Sequence, residues 1–114
     1  MSRIRTEDQH GFHARMARTR GPCLLIITGV HCGACRAMKL ALEGNLRHHD
    51  GLTVVEVDAG DNPGLSQELE VQHLPALFLY LDGKYHAPIS CPPRPDEMVS
   101  ALDAALASPP MDPP

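Results

Sequence analysis

From residue 22 onward the hydrophobic positions of this chain change period repeatedly, and each change predicts an element. After the Gly21-Pro22 break, CLLIIT (23–28) is a short, near-continuous apolar run rich in β-formers, which suits a strand covered on both faces. From Cys35 to about His49 the period becomes helical. Met38, Ala41, Leu42 and Leu46 recur at three- and four-residue spacing, HHDG supplies a stop, and Gly51 stands just beyond it. LTVVEVDA (52–59), dominated by β-branched residues, predicts the next strand. DNPGLSQELEV (61–71) predicts a short helix capped by Asp61 or Asn62, with Pro63 near its first turn. PALFLYLDGKYHAPI (75–89) predicts two strands joined by Asp82-Gly83, among the strongest two-residue hairpin signals. RPDEMVSALDAALAS (94–108) predicts a last amphipathic helix with Met98, Leu102 and Leu106 on one stripe, and PPMDPP (109–114) a disordered tail.

The resulting order is β-α-β-α-β-β-α over residues 21–108. A strand-helix-strand opening implies a parallel pair with a crossover, and the hairpin adds antiparallel strands, so an α/β fold with a central mixed β-sheet flanked by helices is expected. At 114 residues there is material for one modest core and not for two, and a single-domain monomer is expected. Ahead of it, Arg3, Arg5, Arg15, Arg18 and Arg20 crowd residues 1–20, with Glu7 and Asp8 interrupting them. This stretch reads as a basic N-terminal arm or a solvated helix.

Charge and composition narrow the functional classes. A net charge of −4 with the histidines neutral argues against nucleic acid as a partner, since phosphate binding needs a basic surface. No apolar run approaches the roughly 20 residues that span a bilayer, so no membrane partner is expected. The N-terminus lacks the apolar stretch of a secretory signal, which makes the cytoplasm the default compartment. There, four cysteines are not a disulfide framework but catalytic, metal-binding or buried residues.

The chemistry concentrates in GVHCGACRAM (29–38), a CxxC placed between a buried strand and a helix. Cys32 and Cys35 then sit on the first helical turn, where unpaired N–H groups and the positive end of the helix dipole favour a thiolate. Cys32, at the tip, is the natural nucleophile, and Cys35, one turn inside, the resolving thiol. Gly33 lets the two sulfurs approach, Ala34 keeps access open, and a protonated His31 would add positive charge beside the thiolate. A metal half-site is the chemical rival. It lacks a second CxxC or an HxxxH, and His48 and His49 lie thirteen and fourteen residues beyond Cys35, roughly 20 Å along a helix. His31, His73 or Cys91 would have to serve instead, and no metal is expected. Cys23, opening the buried strand, reads as a core residue.

Three markers then coincide: Cys32-Gly33-Ala34-Cys35, the Val57-Asp58 strand end followed by Asn62-Pro63, and Leu74-Pro75 opening a strand-Asp-Gly-strand hairpin. With them, residues 22–107 resemble the thioredoxin-like family. The resemblance implies a thiol-disulfide oxidoreductase that needs no bound cofactor, only protein disulfide substrates and a redox partner. It implies a cis Leu74-Pro75 peptide opposite the dithiol, with Leu74 offering its backbone to an extended substrate, and substrate contacts from His31, Gly33, Ala34 and Pro75. His73 and Cys91 would flank that groove as possible modulators.

The departures from the family pattern matter as much. His31 and Ala34 stand where the family has Trp and Pro, and losing that proline between the cysteines by analogy makes the pair more oxidising. The family's buried acid falls on Ile26, its lysine partner on Val54, and the helix-kinking proline on Leu40. Without that acid, a binding module with an idle or redox-sensing dithiol is the alternative to an enzyme.

Overall fold

The computed structural model describes residues 4–45 and 51–114. Its centre is β2 (Pro22–Thr28), which reads as an unbroken apolar run because both of its faces are covered. Leu24 and Ile26 point into one core layer, and Cys23, Leu25 and Ile27 into the other, all fully buried. Burying each of the large ones stabilises the fold by roughly 1.5–3 kcal/mol.

Around β2 the sheet is ordered β1-β3-β2-β4-β5, with β1 Ile4–Thr6, β3 Thr53–Asp58, β4 Ala76–Leu81 and β5 Lys84–Ile89. β2 runs parallel to β3, from Cys23 opposite Thr53 to Thr28 opposite Asp58, and antiparallel to β4. The helices are α1 (Gln9–Arg18), α2 (Gly33–Asn45), α3 (Pro63–Glu68) and α4 (Pro95–Leu106). Met38, Ala41 and Leu42 of α2 share one layer with Met98 and Leu102 of α4, while Phe12 and Met16 of α1 and Leu65 of α3 lie in the other. The mixed α/β sheet and the order from β2 to α4 are those expected. Leu46, His48 and His49 of the expected α2 stretch lie outside the described residues, as does Arg3.

Residues 4–18, expected as a basic arm or helix, instead supply an edge strand and a helix of the same domain. β1 pairs parallel with β3, and Asp8 caps α1 by accepting the Gly11 N–H at 2.6 Å. Arg15, counted among the arm's charges, is paired with Glu7 at 2.8 Å. Only Ile4, Phe12 and Met16 carry the packing, too few apolar positions to show a period. The α3 cap also differs. Asn62 makes no side-chain cap bond; its side-chain Oδ1 accepts the Gln9 N–H at 2.9 Å and its Nδ2 donates to the Asp58 carbonyl at 2.9 Å, tying α1 to the end of β3.

At the hairpin, Asp82 (φ +52°) and Gly83 (φ +82°) are both left-handed, as a tight turn between twisted strands demands. A Cβ on Gly83 would run into the Met16 carbonyl. Between Leu79 and Tyr80 the ladder slips, so His86 of β5 has no partner on β4. Its ring turns inward instead. Nε2–H donates to the carbonyls of Ala105 (2.7 Å) and Ser108 (3.1 Å) at the C-terminus of α4, which fixes the tautomer because carbonyls only accept. The His86 carbonyl accepts the Met111 N–H at 2.7 Å, so the expected disordered tail, though without helix or strand, is tied to β5. The composition of 109–114 shows only its prolines, not this anchor.

Candidate functional site

β2 ends at Thr28, and Gly29, Val30 and His31 turn the chain into α2. Val30 is 80% exposed, and His31 takes a left-handed φ of +54°, a conformation that side-chain-bearing residues adopt uncommonly, His more readily than most. Cys32 therefore stands at the N-cap of α2, half-buried, and Cys35 in its first turn is 1% exposed. The two are joined in a disulfide with Cα atoms 5.2 Å apart.

The Cys35 N–H donates to Cys32 Sγ at 3.1 Å, and the Arg36 N–H to the Cys32 carbonyl at 3.2 Å. The first is the bond a capping oxygen normally accepts, here given to sulfur. An unpaired helix N–H and the positive end of α2 thus meet at Cys32 Sγ, where a thiolate would be favoured. Gly33 and Ala34 are exposed on the same turn, so the sulfur nearer solvent is open to attack or to attacking.

The Leu74-Pro75 peptide is cis. A Cβ on Gly29 would meet Leu74 Cδ1 at 2.8 Å, so Leu74 closes against the backbone of the loop that leads to Cys32. A glycine there lets the two loops touch. Leu74 and Pro75 line a groove of about 650 Å³ together with His73, Cys91, Ile89 and Met38, the last one turn beyond Cys35 on α2. His31, Gly33, Ala34 and the two sulfurs lie outside its walls, at the helix tip. The expected site residues thus fall into two neighbouring groups, joined through Leu74 and Gly29. Burial, and then the Glu97 carboxylate, push the Cys91 thiol up; burial pushes Cys23 up to about 11, with Arg15 pulling the other way. Among the described residues no three His, Cys, Asp or Glu side chains gather as a metal site requires, and no helix is long and apolar enough to cross a membrane.

One polar cluster escaped the sequence reading. Ile26 is fully buried, but its neighbour across the strands is Glu56, not Val54, which pairs with Leu24. Glu56 Oε2 accepts from Thr28 Oγ1 at 2.6 Å and from Lys39 Nζ of α2 at 3.1 Å. The signal was present in LTVVEVDA, where Glu56 shares the parity of buried Val54 and is flanked by Val55 and Val57.

The family model described as Thioredoxin matches residues 3–104. The chain belongs to the thioredoxin family. Its match begins ahead of β1 and so takes in β1 and α1. Over 82 residues, 71% of this chain, it is 32% identical to "Thioredoxin X, chloroplastic" of Arabidopsis thaliana, and the match spans 45% of that relative. Over 74 residues, 64% of this chain, it is 27% identical to "Thioredoxin" of Griffithsia pacifica, spanning 68% of that relative. The chain thus spans about half to two thirds of the length of these curated relatives. Among solved structures, a chain from a study of the thiol resolving mechanism in yeast mitochondrial 1-Cys peroxiredoxin via glutathione/thioredoxin systems superposes with a TM-score of 0.75. At 18% identity, covering 89% of this thioredoxin-family chain and 94% of that one, it speaks to the fold.

Proposed function

We propose that this domain is a thiol-disulfide oxidoreductase that exchanges the Cys32–Cys35 pair with disulfides in proteins, in the cytoplasm or another reducing compartment. The observation that carries the reading is the N-cap placement: a half-buried sulfur accepting a helix N–H, covalently paired with a sulfur that water does not reach. In the reducing direction, Cys32 thiolate attacks a substrate disulfide, one substrate sulfur leaves as thiolate, and a mixed disulfide forms on Cys32. Cys35, losing its proton, then attacks Cys32 Sγ and the second substrate sulfur leaves. Two electrons pass to the substrate, and a redox partner returns them to the dithiol. Leu74 and Pro75, which line the groove, would hold the substrate chain extended, with His31, Gly33 and Ala34 touching it at the helix tip.

Cys35→Ser should stop the cycle at the mixed disulfide and trap protein substrates on Cys32, seen as reductant-sensitive adducts by mass. Absence of adducts under mild oxidation would refute the reading. Fully buried Ile26, which leaves β2 without a carboxyl behind the dithiol, favours a second reading, a binding module with a redox-sensing pair. Insulin reduction driven by dithiothreitol separates them, since a binding module would not accelerate it.

A further inference from the structure

Residues 109–114 run from the end of α4 to the groove that holds Leu74 and Pro75, and one residue of β5 sets their course. Buried His86 donates from Nε2–H to the Ser108 carbonyl at 3.1 Å, where the segment leaves α4. Its own carbonyl accepts the Met111 N–H at 2.7 Å, which lays the segment alongside β5. The Met111 side chain is 56% exposed, so it is the backbone and not the side chain that fixes this point. Pro109, Pro110, Pro113 and Pro114 make up most of the segment, and with φ fixed by their rings they lose little freedom on docking.

Pro113 and Pro114 line a cavity of about 210 Å³ together with Phe12, Tyr80, Tyr85 and Gly83 of the hairpin turn. The three aromatic rings stand edge-on, Phe12 to Tyr80 with centroids 5.3 Å apart and Tyr80 to Tyr85 at 5.6 Å. An aromatic lining of this kind accepts proline rings. Pro114 also lines the groove of about 650 Å³ that contains Leu74 and Pro75, and Leu69 and Tyr85 are likewise common to both. The cavity lies by the hairpin at the end of β4, and Leu74 and Pro75 lie just ahead of its start. The two hollows are therefore successive stretches of one trough along β4, and Pro114 stands where they meet. A polypeptide passing Leu74 in the direction of the hairpin runs into it.

We propose that residues 109–114 are a built-in occupant of this trough that selects which disulfides reach Cys32. Disulfides in short segments are admitted, whereas those flanked by long extended chain must first displace Pro113 and Pro114. The proposal rests on the oxidoreductase reading and leaves the exchange at Cys32 as described above, acting only on the binding that precedes it. Long substrates then bind only the molecules whose strap is lifted, which weakens their apparent affinity by that fraction.

The test compares two synthetic peptides that carry the same intramolecular disulfide, one with nothing beyond it and one with about eight extended residues on each side, enough to run past β4. The full chain with its dithiol reduced is mixed with each, and the rate of peptide reduction is read by mass after acid quenching. Reduction of the short peptide by the parent protein is required first; its failure would sink the oxidoreductase reading itself, whatever the variants do. Given that, Met111→Pro, which removes the anchoring N–H, should speed reduction of the long peptide about two- to tenfold, the worth of one hydrogen bond, and leave the short one unchanged. Pro113→Ser combined with Pro114→Ser should act in the same direction, and Met111→Ala, which keeps the N–H, should match the parent. Equal effects on the two peptides, a long peptide no faster in Met111→Pro or in the double variant, or Met111→Ala acting as Met111→Pro does would each overturn the proposal.

Discussion

Replacing Phe12 by alanine should destabilise this domain by about 3–5 kcal/mol, the usual cost of emptying a buried aromatic site. Phe12 is 1% exposed, stands edge-on to Tyr80 with ring centroids 5.3 Å apart, and anchors α1 to the layer beneath β2 and β4. That layer has little to collapse into the space, because Met16, Leu65 and Leu69 are already packed there. At about 4 °C per kcal/mol for a chain of this size, thermal unfolding should fall by roughly 12–20 °C. Far-UV circular dichroism is the suitable probe, since the chain has no tryptophan. Arg18→Ala on the exposed face of the same helix is the control and should change stability by no more than about 0.5 kcal/mol. A Phe12→Ala loss no larger than that of Arg18→Ala would refute the placement of α1 in the core.

Gly29→Ala should push Leu74 out of its rotamer at a cost of about 0.5–1.5 kcal/mol. It should slow reaction of Cys32 with a protein disulfide several-fold while leaving its alkylation by iodoacetamide unchanged; equal effects on both would mean the loops do not cooperate in substrate contact. Cys23, held neutral up to about 11 by burial, binds a proton in the fold that the unfolded chain releases near 9. Stability should therefore fall between pH 9 and 11 by roughly 2–3 kcal/mol, and Cys23→Ala should remove that share in pH-dependent denaturation. Tyr80, also pushed up by burial, adds a loss in the same direction above pH 10, so the Cys23→Ala curve should still decline there.

Much of the fold was legible because period and punctuation agreed. CLLIIT is apolar at every position up to Thr28 because two helical layers cover it, and Asp82-Gly83 is a turn because two consecutive left-handed residues are needed. β1 and α1 were not legible, since three residues of strand and two buried side chains of helix carry no period among five arginines. The dithiol was visible from its position between strand and helix. Its bond to the helix N–H follows from that position alone. Glu56 was not legible because its partners lie on other elements; only the β2–β3 register shows that it stands beside Ile26 while Lys39 reaches it from α2. Gly29 gave no sign either, because its role is to leave room for a side chain some 45 residues away, a contact that no local pattern records.

The slip that strands His86 has a consequence for how the molecule meets its own copies. An open sheet offers two rows of unsatisfied backbone groups, and these template intermolecular pairing and polymerisation. Here the β1 row is three residues long. On β5 the His86 carbonyl is already taken by Met111, and Pro88 has no N–H to offer. A histidine left out of the ladder thus recruits a proline-rich segment as a blunt edge, leaving the sheet few places where another strand could take hold.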